Sequence, residues 1–375
     1  MHKITGLKTP LKLLIALTMT VLLIAVAFLS INIGGGGKNV LNEAVEGGEY
    51  ALTAVGRSYE SLTHFVQDNQ TQAEELLRAA RTSIDVAKAK LTSAGRTEDV
   101  FTLRMVENYQ IISSASEVMA QGVDNLLTIS DNLQNALNYY SQGEYEMAAQ
   151  QASQGLDVLT PLLTDLEERN SSLDGLNYNN IASGHRDRVK NAVSQYRSEY
   201  EIYLQYNLLL RSLLEGKDYL ETRELTDEKL KQLQSAIANE DYETAQRLLK
   251  EISELLEALK DPQYESATTT ASQLNPELLE SNAFDASQDL KTRLKDLAGI
   301  QEFENYLQSL EKYIEASNYL AQGNPQAAEQ AANQGIGILG QGQASDDPEL
   351  QRLYSGLGEA FNSLLMRIRG QPDQG

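Results

Sequence analysis

Tyr196, Tyr200, Tyr203 and Tyr206 recur at spacings of four, three and three, so on an α-helix they form one stripe. Phenols in such a row make contacts and do not by themselves turn a substrate over. Two readings are open: a partner-contacting surface, for which Tyr is well suited, or a seam packing one helix against another. Groups with reactive chemistry are scarce. The chain has no Cys, and its three His stand at positions 2, 64 and 185. That leaves no thiolate metal site, cysteine nucleophile or evident Ser/His/Asp triad. The acidic runs Asp165–Glu168 and Asp346-Asp347 lack the Asp/Asn and Gly spacing of a calcium loop, and they read as solvated surface. No phosphate-binding loop, nucleophile elbow or dinucleotide fingerprint is present. Neither enzymatic activity nor a cofactor or metal is expected.

Charge narrows the partners. Fifty-three acids against 31 bases give a formal net charge of -22, the opposite of a phosphate-backbone binder, so no nucleic acid is expected.

The elements that must hold these residues begin with an apolar segment. Leu13 to Ile33 is an uncharged run of 21 residues without a polar face. As a helix it would reach roughly 30 Å, the thickness of a bilayer's hydrocarbon core. Residues 1–12 carry Lys3, Lys8 and Lys12 and no acid, so they are expected on the cytoplasmic side. The remainder then carries -25 (-22 less +3) and lies outside. A cleaved signal peptide is the competing reading, since Ala25-Val26-Ala27 offers small residues for cleavage. Phe28, Leu29, Ile31 and Ile33 continue the apolar run past that point and favour a permanent anchor. Residues 34–49, with Gly34–Gly37 and Gly47-Gly48, read as a flexible linker.

From residue 50 to 369 the apolar spacing is helical, and no stretch alternates as a strand would. The expected fold is therefore all-α, with halves near 50–184 and 185–369 and a frayed tail at 370–375. Linkers are expected at Thr92–Asp99, Glu168–His185, Asp261–Ser287 and Gly340–Pro348. Six of the seven prolines, Pro161 among them, are read as helix starts or stops.

Comparing the chain with itself shows a repeat. Residues 131–159 and 311–339 align without gaps at an offset of 180 and are identical at 11 of 29 positions. These include Ala136/Ala316, Tyr139/Tyr319, Gly143/Gly323, Ala148/Ala328, Gly155/Gly335 and Leu159/Leu339. Fainter copies of the same helix–corner–helix shape lie at 66–84 and 237–252. Small residues let two antiparallel helices approach, and Gly permits the corner.

These corners resemble the tetratricopeptide repeat. Ala136, Tyr139, Gly143, Tyr145, Ala148 and Gly155 fall in its register, as do Ala316, Tyr319, Gly323, Ala328 and Gly335. Pro325 replaces the corner Tyr of the second copy, Pro161 comes one residue late, and the spacing is not the family's 34 residues. The resemblance covers roughly 110 residues and implies stacked antiparallel helical hairpins, as a solenoid or bundle, with protein-binding duties. The expectation is a single-pass membrane protein with an extracytoplasmic helical scaffold or adaptor that binds other envelope proteins. The alternative is an envelope sensor or solute-binding module working with a membrane partner.

Overall fold

The computed structural model describes residues 36–294, 298–341 and 348–370. The expected cytoplasmic segment 1–12, the apolar segment 13–33, Asp346-Asp347 and the tail beyond Gly370 lie outside these residues. Among the described residues no helix is long and apolar enough to cross a membrane.

The described chain is all-α, with twelve α-helices and no strand. They are α1 (Gly36–Val66), α2 (Gln70–Ala94), α3 (Val100–Ser141), α4 (Tyr145–Asp174), α5 (Arg186–Glu215) and α6 (Lys217–Ala238). There follow α7 (Tyr242–Leu259), α8 (Glu265–Ser272), α9 (Ser281–Arg293), α10 (Ala298–Ala321), α11 (Pro325–Leu339) and α12 (Pro348–Gly370).

Two compact units are present. One holds the described residues up to Thr128 together with Val158–Leu204, and the other holds Ile129–Asp157 and the described residues from Gln205 onward. In the first, α1 and α2 form an antiparallel hairpin, tied by Lys90 Nζ to Glu46 (2.7 Å) and by Ser61 Oγ donating to the Ala73 carbonyl (2.6 Å). α3 returns antiparallel to α2, with Lys88–Glu117 at 2.6 Å and Arg81–Asp124 at 2.9 Å. In the second unit α6 packs on α7, α7 on α10, and α10, α11 and α12 on one another.

Four corners close the hairpins by the same backbone device. At each, one residue adopts a left-handed conformation: Asp68 (φ 58°), Gly143 (φ 77°), Glu240 (φ 57°) and Gly323 (φ 73°). The amide of the next residue donates five positions back, from Asn69 to His64, Glu144 to Tyr139, Asp241 to Ala236 and Asn324 to Tyr319, each at 2.9 Å. That reversal satisfies carbonyls at the end of one helix while the next begins at once. Asn69, Asp241 and Asn324 cap the returning helices by accepting from Gln72, Thr244 and Ala327 amides.

The residues shared by 131–159 and 311–339 do equivalent work. Ala136, Ala316, Ala152, Ala332 and Ala328 are fully buried, and Leu159 and Leu339 nearly so. A Cβ on Gly155 would lie 2.8 Å from Leu210 of α5, and one on Gly335 would collide with the Phe361 ring of α12. In each case a bare helix face receives the large side chain of a following helix.

Three expectations need correction. The segment read as a flexible linker is helical from Gly36, and Gly47 and Gly48 lie within α1. Their missing side chains make room for Leu91 and the Tyr109 ring, so the glycines serve packing and not looseness. The Glu168–His185 linker is shorter than expected because α4 runs to Asp174. Pro161 sits inside α4 and neither starts nor stops it.

The corners give a stability test. An L-residue in the left-handed region costs about 1–2 kcal/mol, part of which Gly avoids. Gly323→Ala, where a new Cβ meets no neighbour, is expected to lower unfolding free energy by about 1 kcal/mol. Glu240→Gly is expected to raise it by about 0.5 kcal/mol, and urea unfolding of both variants reads the two signs.

Candidate functional site

The four-tyrosine stripe lies on α5, and packing claims most of it. Tyr196, Tyr203 and Tyr206 are buried, and Tyr200 is half-exposed. Tyr196 donates its hydroxyl to the Leu166 carbonyl of α4 at 2.6 Å. The Tyr203 ring lies 2.5 Å from where a Cβ on Gly122 would stand, so α3 and α5 meet across a glycine. The stripe is thus a packing seam, and three of its tyrosines offer no surface to a partner.

Glu199, on the same helix, was not singled out by the sequence reading. It is fully buried, and Tyr203 donates to its Oε1 at 2.7 Å, while its Oε2 has no hydrogen-bond partner among the described residues. Burial drives its pKa up from the ordinary 4.5 to about 8, against the pull of the Tyr203 hydrogen bond. The carboxyl is therefore held protonated near neutral pH. Hydrophobic periodicity cannot flag it, because the sequence places a Glu where the helix face turns inward.

His185 ends a short 3-10 turn and joins two parts of the first unit. Tyr109 OH lies 2.7 Å from His185 Nδ1, and His185 Nε2 lies 3.1 Å from Glu49 Oε2. The Tyr109 oxygen also accepts from the Ala182 amide at 3.3 Å, so its proton goes to Nδ1. The imidazole is then neutral with its proton on Nε2, pointed at Glu49, which also pairs with Arg188. Burial lowers the His185 pKa, outweighing Glu49, and burial raises that of Tyr109 to about 12. Each end of the chain of hydrogen bonds is occupied, which suits a structural clasp.

A concavity lies in the second unit, at the Gly143 corner. It encloses about 650 Å³ between the end of α3, the start of α4, α6 and α9. Tyr140 donates to Asp289 Oδ2 at 2.6 Å, and Arg293 Nε pairs with the same oxygen at 3.2 Å. Arg293 Nη1 donates to Tyr145 OH at 2.8 Å, and its guanidinium carbon stands 6.0 Å from the Tyr140 ring centre. Burial raises the pKa of both phenols, that of Tyr145 to about 12, so neither ionises near neutrality. Glu224, Asp285 and Asp289 against Arg293 leave the lining net acidic.

This arrangement can bind a polar or cationic group, since its phenols are held un-ionised and its lining is net acidic. In the sequence Tyr145 stands out only as a position of the repeat's register. The partners of Tyr140 and Tyr145, Asp289 and Arg293, lie about 150 positions away, a separation that hides the cluster from any local pattern. Among the described residues no group of three or more His, Asp or Glu side chains is placed to hold a metal ion.

Two expectations follow. Between pH 4.5 and 8 the folded chain holds one more proton at Glu199 than the unfolded chain, so stability falls as pH rises through that window. Glu199→Gln should remove that slope and exceed the parent's stability at pH 9 by on the order of 1–3 kcal/mol. Parallel pH profiles of thermal unfolding would sink the assignment. In the cleft, Asp289→Ala strips the buried Tyr140 hydroxyl of its acceptor and should cost roughly 1–2 kcal/mol. Asp285→Ala, on the exposed rim, should lie within about 0.5 kcal/mol of the parent.

Comparison with protein-family models, curated proteins and solved structures gave no match, so the functional reading rests on this chain's own sequence and geometry.

Proposed function

We propose that the chain is a single-pass, membrane-anchored helical scaffold whose extracytoplasmic part binds other envelope proteins and catalyses no reaction. The observation that carries this reading is the 21-residue uncharged stretch Leu13–Ile33, flanked by Lys3, Lys8 and Lys12 and followed by a chain of charge -25. Such a charge step retains the short flank inside and leaves the acidic part outside.

The scaffold half of the reading is supported by the four left-handed corners and by the equivalent packing at Gly155 and Gly335. They favour helical hairpins of the tetratricopeptide kind, whose stacked faces serve protein recognition. A second reading, a solute-binding module that works through a membrane partner, draws on the polar cleft around Tyr140, Tyr145 and Arg293.

Fractionation of cells expressing the full chain tests the anchor. After alkaline extraction the protein should stay in the membrane, with an intact mass that includes Met1. External protease should digest its helical part in cells whose membrane is unbroken. A soluble product beginning near Phe28 would instead mean a cleaved signal, and the anchored reading would fail.

A further inference from the structure

The first unit has one end at which the described chain begins. Gly36, where α1 begins, comes three positions after the apolar stretch ends at Ile33. Because α2 opposes α1 and α3 opposes α2, α3 runs parallel to α1. The two meet where the Tyr109 ring occupies the space above Gly48. At 1.5 Å per residue Val100 stands about 13 Å before that contact and Gly36 about 18 Å before it. The start of α3 is therefore within about 5 Å of the level at which α1 begins. The turn between α4 and α5 comes to the same end: Asn108 donates to the Asn177 carbonyl at 3.3 Å, and Tyr109 meets Ala182 and His185.

At this end the side chains break the usual pattern. Val100 is 60% exposed and Phe101 51%, while Thr102, Met105 and Val106 beside them are buried. Among the described residues of the unit, only Tyr50 joins them as an exposed large hydrophobic side chain. The charge is also different. Residues 95–104 carry Arg96 and Arg104 against Glu98 and Asp99, and residues 174–187 carry Arg186 against Asp174 and Asp187. Within a chain of formal charge -22, the segment 95–104 that carries the aromatic and the branched aliphatic residue is thus neutral. Half-exposed Tyr178 lies on the second of these segments.

We infer that Val100 and Phe101 form a lipid-contacting tip, which enters the headgroup region beside the anchor and seats the helical domain on the bilayer at a fixed orientation. The inference rests on the anchored reading. Its chemistry is that of interfacial residues: apolar groups leave water, an aromatic ring sits at headgroup depth, and the acidic bulk of the domain is kept away from the surface. The neutral segment 95–104 lessens at the tip the repulsion that the rest of the chain would meet at an anionic leaflet.

The chain has no Trp, so one substitution supplies a single reporter. The full chain carrying Phe101→Trp is reconstituted into phosphatidylcholine vesicles. A second sample carries Thr71→Trp, an exposed site at the far end of the α1–α2 hairpin. Flotation first reports whether the chain is vesicle-bound. Emission from Phe101→Trp is expected to shift to the blue and to be quenched several-fold more by brominated lipid than emission from Thr71→Trp. Water-like, unquenched emission from a vesicle-bound chain overturns the tip while the anchor stands. A blue shift without brominated-lipid quenching means that protein covers the site, and it overturns the tip as well. A chain that fails to float overturns both.

Discussion

Four of the described hairpins depend on one residue placed in the left-handed region at the corner. A helix ends with unpaired carbonyls and the next begins with unpaired amides, and both sets need partners within a few residues. At Asp68, Gly143, Glu240 and Gly323 the reversal supplies these partners from the backbone itself. The returning helix then lies close enough for small side chains to decide the contact. Two of the four corners place a charged L-residue in a conformation that Gly adopts freely, so the geometry is imposed there by the packing of the flanking helices.

Close approach in turn explains the tyrosines. Where Gly or Ala lines one helix, the facing residue must be large and flat to fill the space, and Tyr does so at the cost of burying a hydroxyl. That cost is offset when the hydroxyl finds a carbonyl or carboxylate, as Tyr196 does at Leu166, Tyr203 at Glu199 and Tyr140 at Asp289. Glu199 is the extreme case, since its carboxyl accepts from a phenol on one oxygen while the other has no hydrogen-bond partner among the described residues. A seam built this way is specific in register, because sliding by one residue would strand the polar ends.

Much of this was legible in the sequence. Helical periodicity fixes the all-α class, and the offset of 180 locates two corners whose glycines both have positive φ. The fainter corners at 66–84 and 237–252 were also readable, although Asp68 and Glu240 there carry no glycine signal. The linker reading of 34–49 failed because Gly runs look loose in a sequence, whereas within α1 the bare faces of Gly47 and Gly48 receive Leu91 and Tyr109. Pro161 misled for a related reason, since a long helix stabilised by its neighbours can absorb one missing hydrogen bond. The cleft and the Glu49–His185–Tyr109 clasp join residues separated by roughly 70 to 150 positions, and no local pattern encodes such pairings.

The distribution of charge gives the last step. Carboxylates in large excess keep a helical domain soluble, but they also repel it from anionic surfaces and from one another. On the anchored reading proposed above, the chain must bring at least one end near such a surface. The start of α3 in the first unit carries balanced charge over residues 95–104 and two exposed apolar residues, Val100 and Phe101. The same economy operates inside the fold. Ionisable groups drawn partly or wholly from water are either paired, as half-exposed Arg293 is with Asp289 and Tyr145, or held neutral, as part-buried His185 and buried Glu199 are. Net negative charge is thus confined to surfaces where water screens it, which leaves the helix seams free to be set by size and by hydrogen bonds.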